Sequence, residues 1–197
     1  MSVREVAPGA QNFESTLHAA QAGAAWACTT IWVEYAPAVA AFLTARGSRE
    51  PDDLTSEVFI AVFDRLPGFV GGEPEFRSFV FSIAYRRLVD ELRSRSRRGD
   101  PVEWSVETDH RSSRSAEDDA LTRLGETSAL TLLESLPEDQ RNVMVLRIIA
   151  DLTVEQIATV LDKRVGAVKA LQRRALDSMR KKFPATRTLS GPPNDSE

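Results

Sequence analysis

TVEQIATVLDKRVGAVKALQRRALDSMRKK, residues 153–182, reads as two helices joined by a tight turn. Thr153 and Gln156 have the spacing of a capping box, in which each side chain satisfies a backbone N–H that the first helical turn leaves open. Val154, Ile157, Ala158 and Leu161 then recur at helical spacing on one face. Ala158 suits a close helix crossing, because a larger side chain would hold the two helices apart. Asp162, Lys163 and Arg164 interrupt the apolar pattern and leave room for the turn. Beyond it, Val168, Leu171, Ala175 and Met179 fall on one stripe. At about 100° per residue, Gly166, Lys169, Ala170, Arg173, Arg174 and Asp177 point the other way. That outward face opens with small residues and continues with positive charge. Small residues permit close approach to a DNA major groove, and Lys and Arg reach phosphates or guanine edges. The competing reading is a basic amphipathic helix with a solvated face, and Arg180, Lys181 and Lys182 also suit the helix dipole. The capped first helix, the small pivot and the short turn favour DNA binding over that reading.

The whole chain bounds the interpretation. Its 197 residues suffice for one or two domains. The formal net charge of -4 argues against a uniformly basic nucleic-acid binder. Charge is uneven, however. Arg86 to Arg98 and Lys163 to Lys182 are strongly basic, while acid collects at Asp52, Asp53 and Glu57 and at Glu117, Asp118 and Asp119. Two basic faces on an acidic protein imply local nucleic-acid contact together with a basic protein partner. Cys28 is the only cysteine, so neither an intramolecular disulfide nor a Cys-based zinc site is expected, and a reducing cytoplasm fits. A signal peptide and a membrane-length apolar stretch are not expected either.

Outward from the quoted stretch, the pattern is helical almost throughout. Phe13 to Arg46 is Ala-rich, with Phe13, Leu17, Trp26, Ile31, Trp32, Tyr35, Val39, Phe42 and Leu43 as apolar contacts. The two tryptophans are expected in the core, since aromatics carry much of the buried area. Pro37 is expected to end one helix or open the next. After breakers at Gly47 to Pro51, DDLTSEVFIAVFDRL forms a stripe of Leu54, Val58, Ala61, Val62 and Leu66, broadened by Phe59 and Phe63. Pro67 to Pro74 reads as a loop. Glu75 to Arg98 reads as a long helix with Tyr85, Arg86, Arg87, Arg93, Arg95, Arg97 and Arg98 as a basic-aromatic surface. Gly99 to Asp119 is rich in Ser, Asp, Glu and Arg and reads as a flexible linker, in which Trp104 is out of character. Helices are expected over Ala120–Ser135 and from Pro137, and a disordered tail after Phe183. The expected fold is all-α: two small helical domains that fold separately, joined by a flexible linker, the second ending in a helix-turn-helix.

No catalytic constellation emerges. His18 and His110 lie far apart, and nucleophile-elbow, P-loop and zinc-protease patterns are absent from the sequence. Asp52, Asp53 and Glu57 admit a magnesium site on paper, but a negatively charged helix start accounts for them. No metal and no cofactor is expected. Gly71 and Gly72 are better read as loop flexibility than as a phosphate cradle.

Three blocks now carry a resemblance: DDLTSEVFIAVFDRLPGF, then FRSFVFSIAYRRLVDELRSRSRR, then LPEDQRNVMVLRIIADLTVEQIATVLDKRVGAVKALQRRAL. In this order and at this separation the chain, from about Ala22 to Phe183, resembles a bacterial extracytoplasmic-function sigma factor. The resemblance implies an N-terminal extension over 1–21, a region 2 over 22–98 binding core RNA polymerase and the minus-ten element, and a linker over 99–119. It further implies a region 4 over 120–183 binding the minus-thirty-five element through its helix-turn-helix, and a tail over 184–197. It implies polymerase contacts at Asp53, Glu57 and Phe59, and minus-ten contacts at Phe79, Tyr85, Arg86 and Arg93. The loop Gly68 to Glu75 would match the one that captures a flipped minus-ten base. Gly166, Lys169, Ala170, Arg173 and Arg174 would face the minus-thirty-five element. The implied partners are core RNA polymerase, promoter DNA and an anti-sigma factor that clamps the two domains together, with the protein in the cytoplasm and not inserted in a membrane. The chain departs from the family pattern at Phe79 (commonly Trp), Arg86 (commonly Asn), Asp162 (a turn Gly) and Lys163 (an apolar residue), and in GAAWACTTIWVEY, which lacks the usual charges. The rival readings are a one-component helix-turn-helix regulator and, from another class, a metal-dependent nucleic-acid enzyme. The DDLTSEVF and FRSFVFSIAYRRLVDELR blocks argue against the first.

Overall fold

The computed structural model describes residues 13–98 and 131–182, and every regular element among them is helical. The first domain holds α1 (Phe13–Gln21), α2 (Ala25–Ala45), α3 (Pro51–Arg65), a 3-10 turn (Leu66–Gly68) and α4 (Glu73–Arg97). The second holds a terminal helical turn at 131–134, α5 (Glu138–Ile148), α6 (Val154–Leu161) and α7 (Val165–Lys182). The expected linker with Trp104, most of the helix expected over Ala120–Ser135, the N-terminal stretch and the tail lie outside the described residues.

The first domain packs around aromatic rings. Phe76, fully buried, meets Phe13, Tyr35 and Phe69 with ring centroids 5.3–5.5 Å apart, and Phe42 meets Phe81 edge-on at 5.7 Å. Such pairs contribute about 0.5–1.5 kcal/mol each beyond their buried area. Ile31, Tyr35, Val39, Phe42 and Leu43 of α2 enter this core. The tryptophans do not: Trp26 is 50% exposed and Trp32 37%, the latter resting edge-on against Phe59 at 4.8 Å. α2 is apolar nearly all round, so its sequence carries no periodicity that would separate its core face from its outer face. Pro37 neither ends nor starts a helix but lies inside α2. Its missing N–H would have met the carbonyl of Val33, four residues back. Both residues are exposed, which leaves that carbonyl to water. By length and composition α2 also meets the requirement for a membrane span, contrary to expectation; its buried face is part of the domain core.

The second domain is aliphatic. Val143, Val145, Leu146, Leu152, Ile157, Val168 and Ala175 are all 0% exposed. Arg141 donates to the carbonyls of Leu133, Glu134 and Leu136, stapling the preceding turn onto α5. The two domains lie in contact. α6 packs along α4, and α5 touches α2.

Candidate nucleic-acid interface

The helix-turn-helix is set by local chemistry. Gln156 N–H donates to Thr153 Oγ1 at 3.2 Å, and Thr153 N–H donates to Gln156 Oε1 at 2.7 Å, which closes the capping box. Asp162 ends α6 at φ 51°, ψ 47°, the left-handed conformation that a short polar side chain tolerates better than most. Lys163 keeps its amine out of the core by reaching Asp139 of α5 at 3.3 Å.

α7 then divides as its stripe requires. Val168, Leu171 and Ala175 are buried and Met179 half-buried, while Gly166, Lys169, Arg173 and Arg174 are exposed and Ala170 is partly so. Among the described residues Lys169 and Arg173 make no ion pair, and Arg174 donates only to Ala170 O of its own helix, at 3.3 Å. A Cβ added at Gly166 would meet nothing within 4 Å, so no packing within the protein demands a glycine there. The five predicted groove-facing residues are therefore together on one open face.

On α4, Phe79, Arg86 and Arg93 recur every seventh residue and share a stripe. Arg86 and Arg93 are exposed. Phe79 is half-buried against Phe69 and Phe76, with centroids 5.2 and 6.1 Å away. Tyr85 is not with them. It lies half-buried at the seam between the domains, where burial above all pushes its phenol pKa up, with Arg46, Glu138, Lys163 and Asp139 around it. Arg95 leaves the predicted basic surface: it is 4% exposed and donates to Gly47 O at 2.8 Å, tying the end of α4 to the α2–α3 turn.

The loop ahead of α4 is shorter than Pro67 to Pro74, because the 3-10 turn consumes its start and α4 begins at Glu73. Gln21 donates to Leu66 O and Phe69 O at 3.1 and 2.8 Å, fixing one side. Gly72 N–H donates to Glu75 Oε2 at 2.9 Å, fixing the other. Gly71, at φ 151°, has no room for a side chain, since a Cβ would lie 2.7 Å from that of Glu75. This rigid loop holds Val70 at its tip, 92% exposed. The chain of contacts that presents Val70 joins residues up to 48 apart, and no local pattern announces it.

On α3, Asp53 and Glu57 stand exposed one turn apart beside a cleft shared with α4 and lined by Arg87, Asp90, Glu91 and Arg98. Glu57 approaches Arg87 at 3.8 Å. Phe59 is 1% exposed and packs inward on Trp32 and Phe63, so it supports this face without being open to a partner. The exposed apolar residue is its neighbour Ile60, at 63%, which continues the line of Asp53 and Glu57. Among the described residues no group of three His, Cys, Asp or Glu side chains gathers in a way that could hold a metal.

Comparison with known proteins identifies the two domains. The family model for sigma-70 region 2 matches residues 31–98, and that for sigma-70 region 4 matches residues 132–181. The chain is 32% identical over 176 residues to the ECF RNA polymerase sigma factor ShbA of Streptomyces griseus, covering 83% of this chain and 91% of that one. It is 31% identical over 146 residues to the ECF RNA polymerase sigma factor SigD of Mycobacterium tuberculosis, covering 71% and 66%. Its fold is similar to that of CnrH, solved with the cytosolic domain of CnrY (TM-score 0.60, 22% identity, 89% of this chain and 99% of that one). It is equally similar to that of RpoE from Bartonella quintana, solved with the anti-sigma factor NepR (TM-score 0.61, 18% identity, 81% and 98%). Region 2 falls on the aromatic domain that carries the acidic and arginine faces, region 4 falls on the helix-turn-helix, and a relative of that kind aligns along most of its length: the chain belongs to the extracytoplasmic-function RNA polymerase sigma factors, which direct polymerase to promoters.

Proposed function

We propose that this sigma factor divides promoter recognition among three faces. Asp53 and Glu57, with Ile60 beside them, hold core polymerase through a basic surface on the enzyme. The Phe79–Arg86–Arg93 stripe of α4, with the loop tip at Val70, captures the melted minus-ten strand: arginines track the backbone and the apolar groups meet an unstacked base. Gly166, Lys169, Ala170, Arg173 and Arg174 read the minus-thirty-five duplex, where phosphate contacts position the helix and base contacts specify. The protein acts through polymerase and catalyses nothing itself, and it works in the cytoplasm. An anti-sigma factor is a further partner: RpoE from Bartonella quintana, of similar fold, was solved with the anti-sigma factor NepR, and CnrH with the cytosolic domain of CnrY.

The observation that carries the reading is the open basic face of α7, with Lys169 and Arg173 exposed over a buried stripe. Transcription from a random promoter library by core polymerase with this chain tests it: a two-part promoter consensus is expected, and enrichment of no sequence would refute it. Reversing Asp53 and Glu57 to Lys should weaken binding in a titration against core enzyme while leaving the circular dichroism helical. Unchanged affinity would remove these residues from the polymerase face.

A further inference from the structure

The loop that presents Val70 is held by a residue ahead of the matched region 2, which begins at residue 31. That residue is Gln21, the last of α1. Thr16, Leu17 and Ala20 bury one side of α1, and the ring of Phe13 lies 5.4 Å from that of Phe76. Gly23, at φ 84°, stops the helix: its N–H donates to Ala20 O and that of Ala24 to Ala19 O, each at 2.9 Å. Gln21 is thereby fixed beside the 3-10 turn. Its Nε2 reaches two carbonyls, Leu66 O and Phe69 O, at 3.1 and 2.8 Å. A carboxamide suits this place, since its NH2 carries two donors and both partners only accept. The first bond adds to the turn's own bond from Phe69 N–H to Leu66 O, at 3.0 Å. The second holds the backbone one residue before Val70, and the Phe69 ring packs on Phe76 and Phe79, with centroids 5.5 and 5.2 Å away.

We propose that Gln21 is a positioning residue for minus-ten specificity: by clamping Leu66 O and Phe69 O it holds the Val70 tip, beside Phe79, in the geometry that selects one base of the melted strand. The inference rests on the loop and Phe79 being the strand-capturing site. Val70 is 92% exposed, so its own side chain finds no packing that would fix it. Its position comes from the backbone on either side. Gly71 and the Gly72–Glu75 bond hold the far side, and Gln21 holds the near side. A tip pre-set in this way meets a flipped base without first losing loop entropy. Without the clamp the tip samples several geometries, and the selective one is populated only part of the time. The half-buried Gln21 stands at the end of α1, outside the buried core, so the amide can be removed while the domain stays folded.

The test reads base preference position by position. Holoenzyme reconstituted with each chain transcribes a promoter library randomised across the minus-ten and minus-thirty-five elements. Gln21→Met keeps the length and helix propensity of the side chain but has no donor. If the unclamped tip is competent about one time in ten, preference at one minus-ten position falls about tenfold. Preference at the minus-thirty-five element should stay that of the parent, and the denaturant midpoint of the free chain should shift little. Gln21→Glu sets a carboxylate against the two carbonyls, is expected to lose at least as much, and replaces the first variant should that fail to fold. Val70→Ala completes a double-mutant cycle: because Gln21 acts through the tip, adding Gln21→Met to Val70→Ala should cost clearly less than it costs the parent. Parent-like preference in both Gln21 variants, beside a defect in Val70→Ala, would overturn the role of Gln21 and leave the sigma-factor reading intact. So would full additivity, or a loss spread evenly over both elements in step with lost stability, since either would make Gln21 merely structural. Unchanged preference in Val70→Ala and Phe79→Ala would instead remove the loop and Phe79 from strand capture, and the inference with them.

Discussion

α4 and α7 are both long, amphipathic and rich in arginine, yet they use their charge differently. On α4, Arg77 pairs with Glu73 at 3.0 Å, Arg87 approaches Glu57 at 3.8 Å, and Arg95 is buried between Gly47 O and Glu91. Only Arg86, Arg93 and Arg97 stand exposed without an ion pair among the described residues. On α7 the charge stays open: among the described residues Lys169 and Arg173 make no ion pair, and Asp177, one turn on from Arg173, pairs with Arg180 at 3.5 Å instead. Counting basic residues therefore does not locate a nucleic-acid face. What matters is whether each cation already has a partner.

The comparison breaks first at Arg95. If its role is internal, Arg95→Ala should cost the first domain about 3 kcal/mol, because it leaves the Gly47 carbonyl without its donor and Glu91 with only the Arg49 N–H in a largely buried site. Denaturant unfolding measures this, and a mere loss of DNA affinity at unchanged stability would place Arg95 on the DNA face after all. Arg173→Ala should do the opposite. It should leave unfolding unchanged while costing promoter binding about 1–3 kcal/mol and relaxing preference at one base, as expected of a bidentate guanine contact. Lys169→Ala sharpens the contrast: weaker binding on all sequences, with the salt slope reduced by about one unit in a titration of holoenzyme on promoter duplex. The smallest effect is at Gly166. Since a Cβ there meets nothing within the protein, Gly166→Ala should stabilise α7 by about 0.5–1 kcal/mol and still weaken promoter binding. A gain in both would deny that its smallness serves DNA approach.

The second domain is legible in the sequence because its decisions are local. The Thr153–Gln156 box spans three residues, the stripes of α6 and α7 have clean helical period, and Asp162 marks the turn between them. The acidic start of α3 and its stripe are legible for the same reason. Legibility fails where the deciding partner is distant in the chain. Nothing near Arg95 announces that Gly47 O will bury it, and Phe59 and Ile60 differ in burial only because α2 lies on one side of α3 and not the other. α2 fails differently: with apolar residues on every face, its sequence does not say that Trp26 and Trp32 stay at the surface. The packing of α6 on α4 depends on contacts between residues as far apart as Pro74 and Gln156, and it is invisible to any local reading.

The most direct test of the account is promoter-dependent transcription by core polymerase with the parent chain and with Arg173→Ala, on two templates that differ only in the presence of the upstream minus-thirty-five duplex element. The account predicts a defect for Arg173→Ala on the full promoter and parity with the parent on the template lacking the element. Equal activity of the two proteins on the full promoter, or a defect that persists without the element, would contradict it: the first would make the basic face of α7 only a solvated surface, the second would put the contribution of Arg173 somewhere other than upstream DNA.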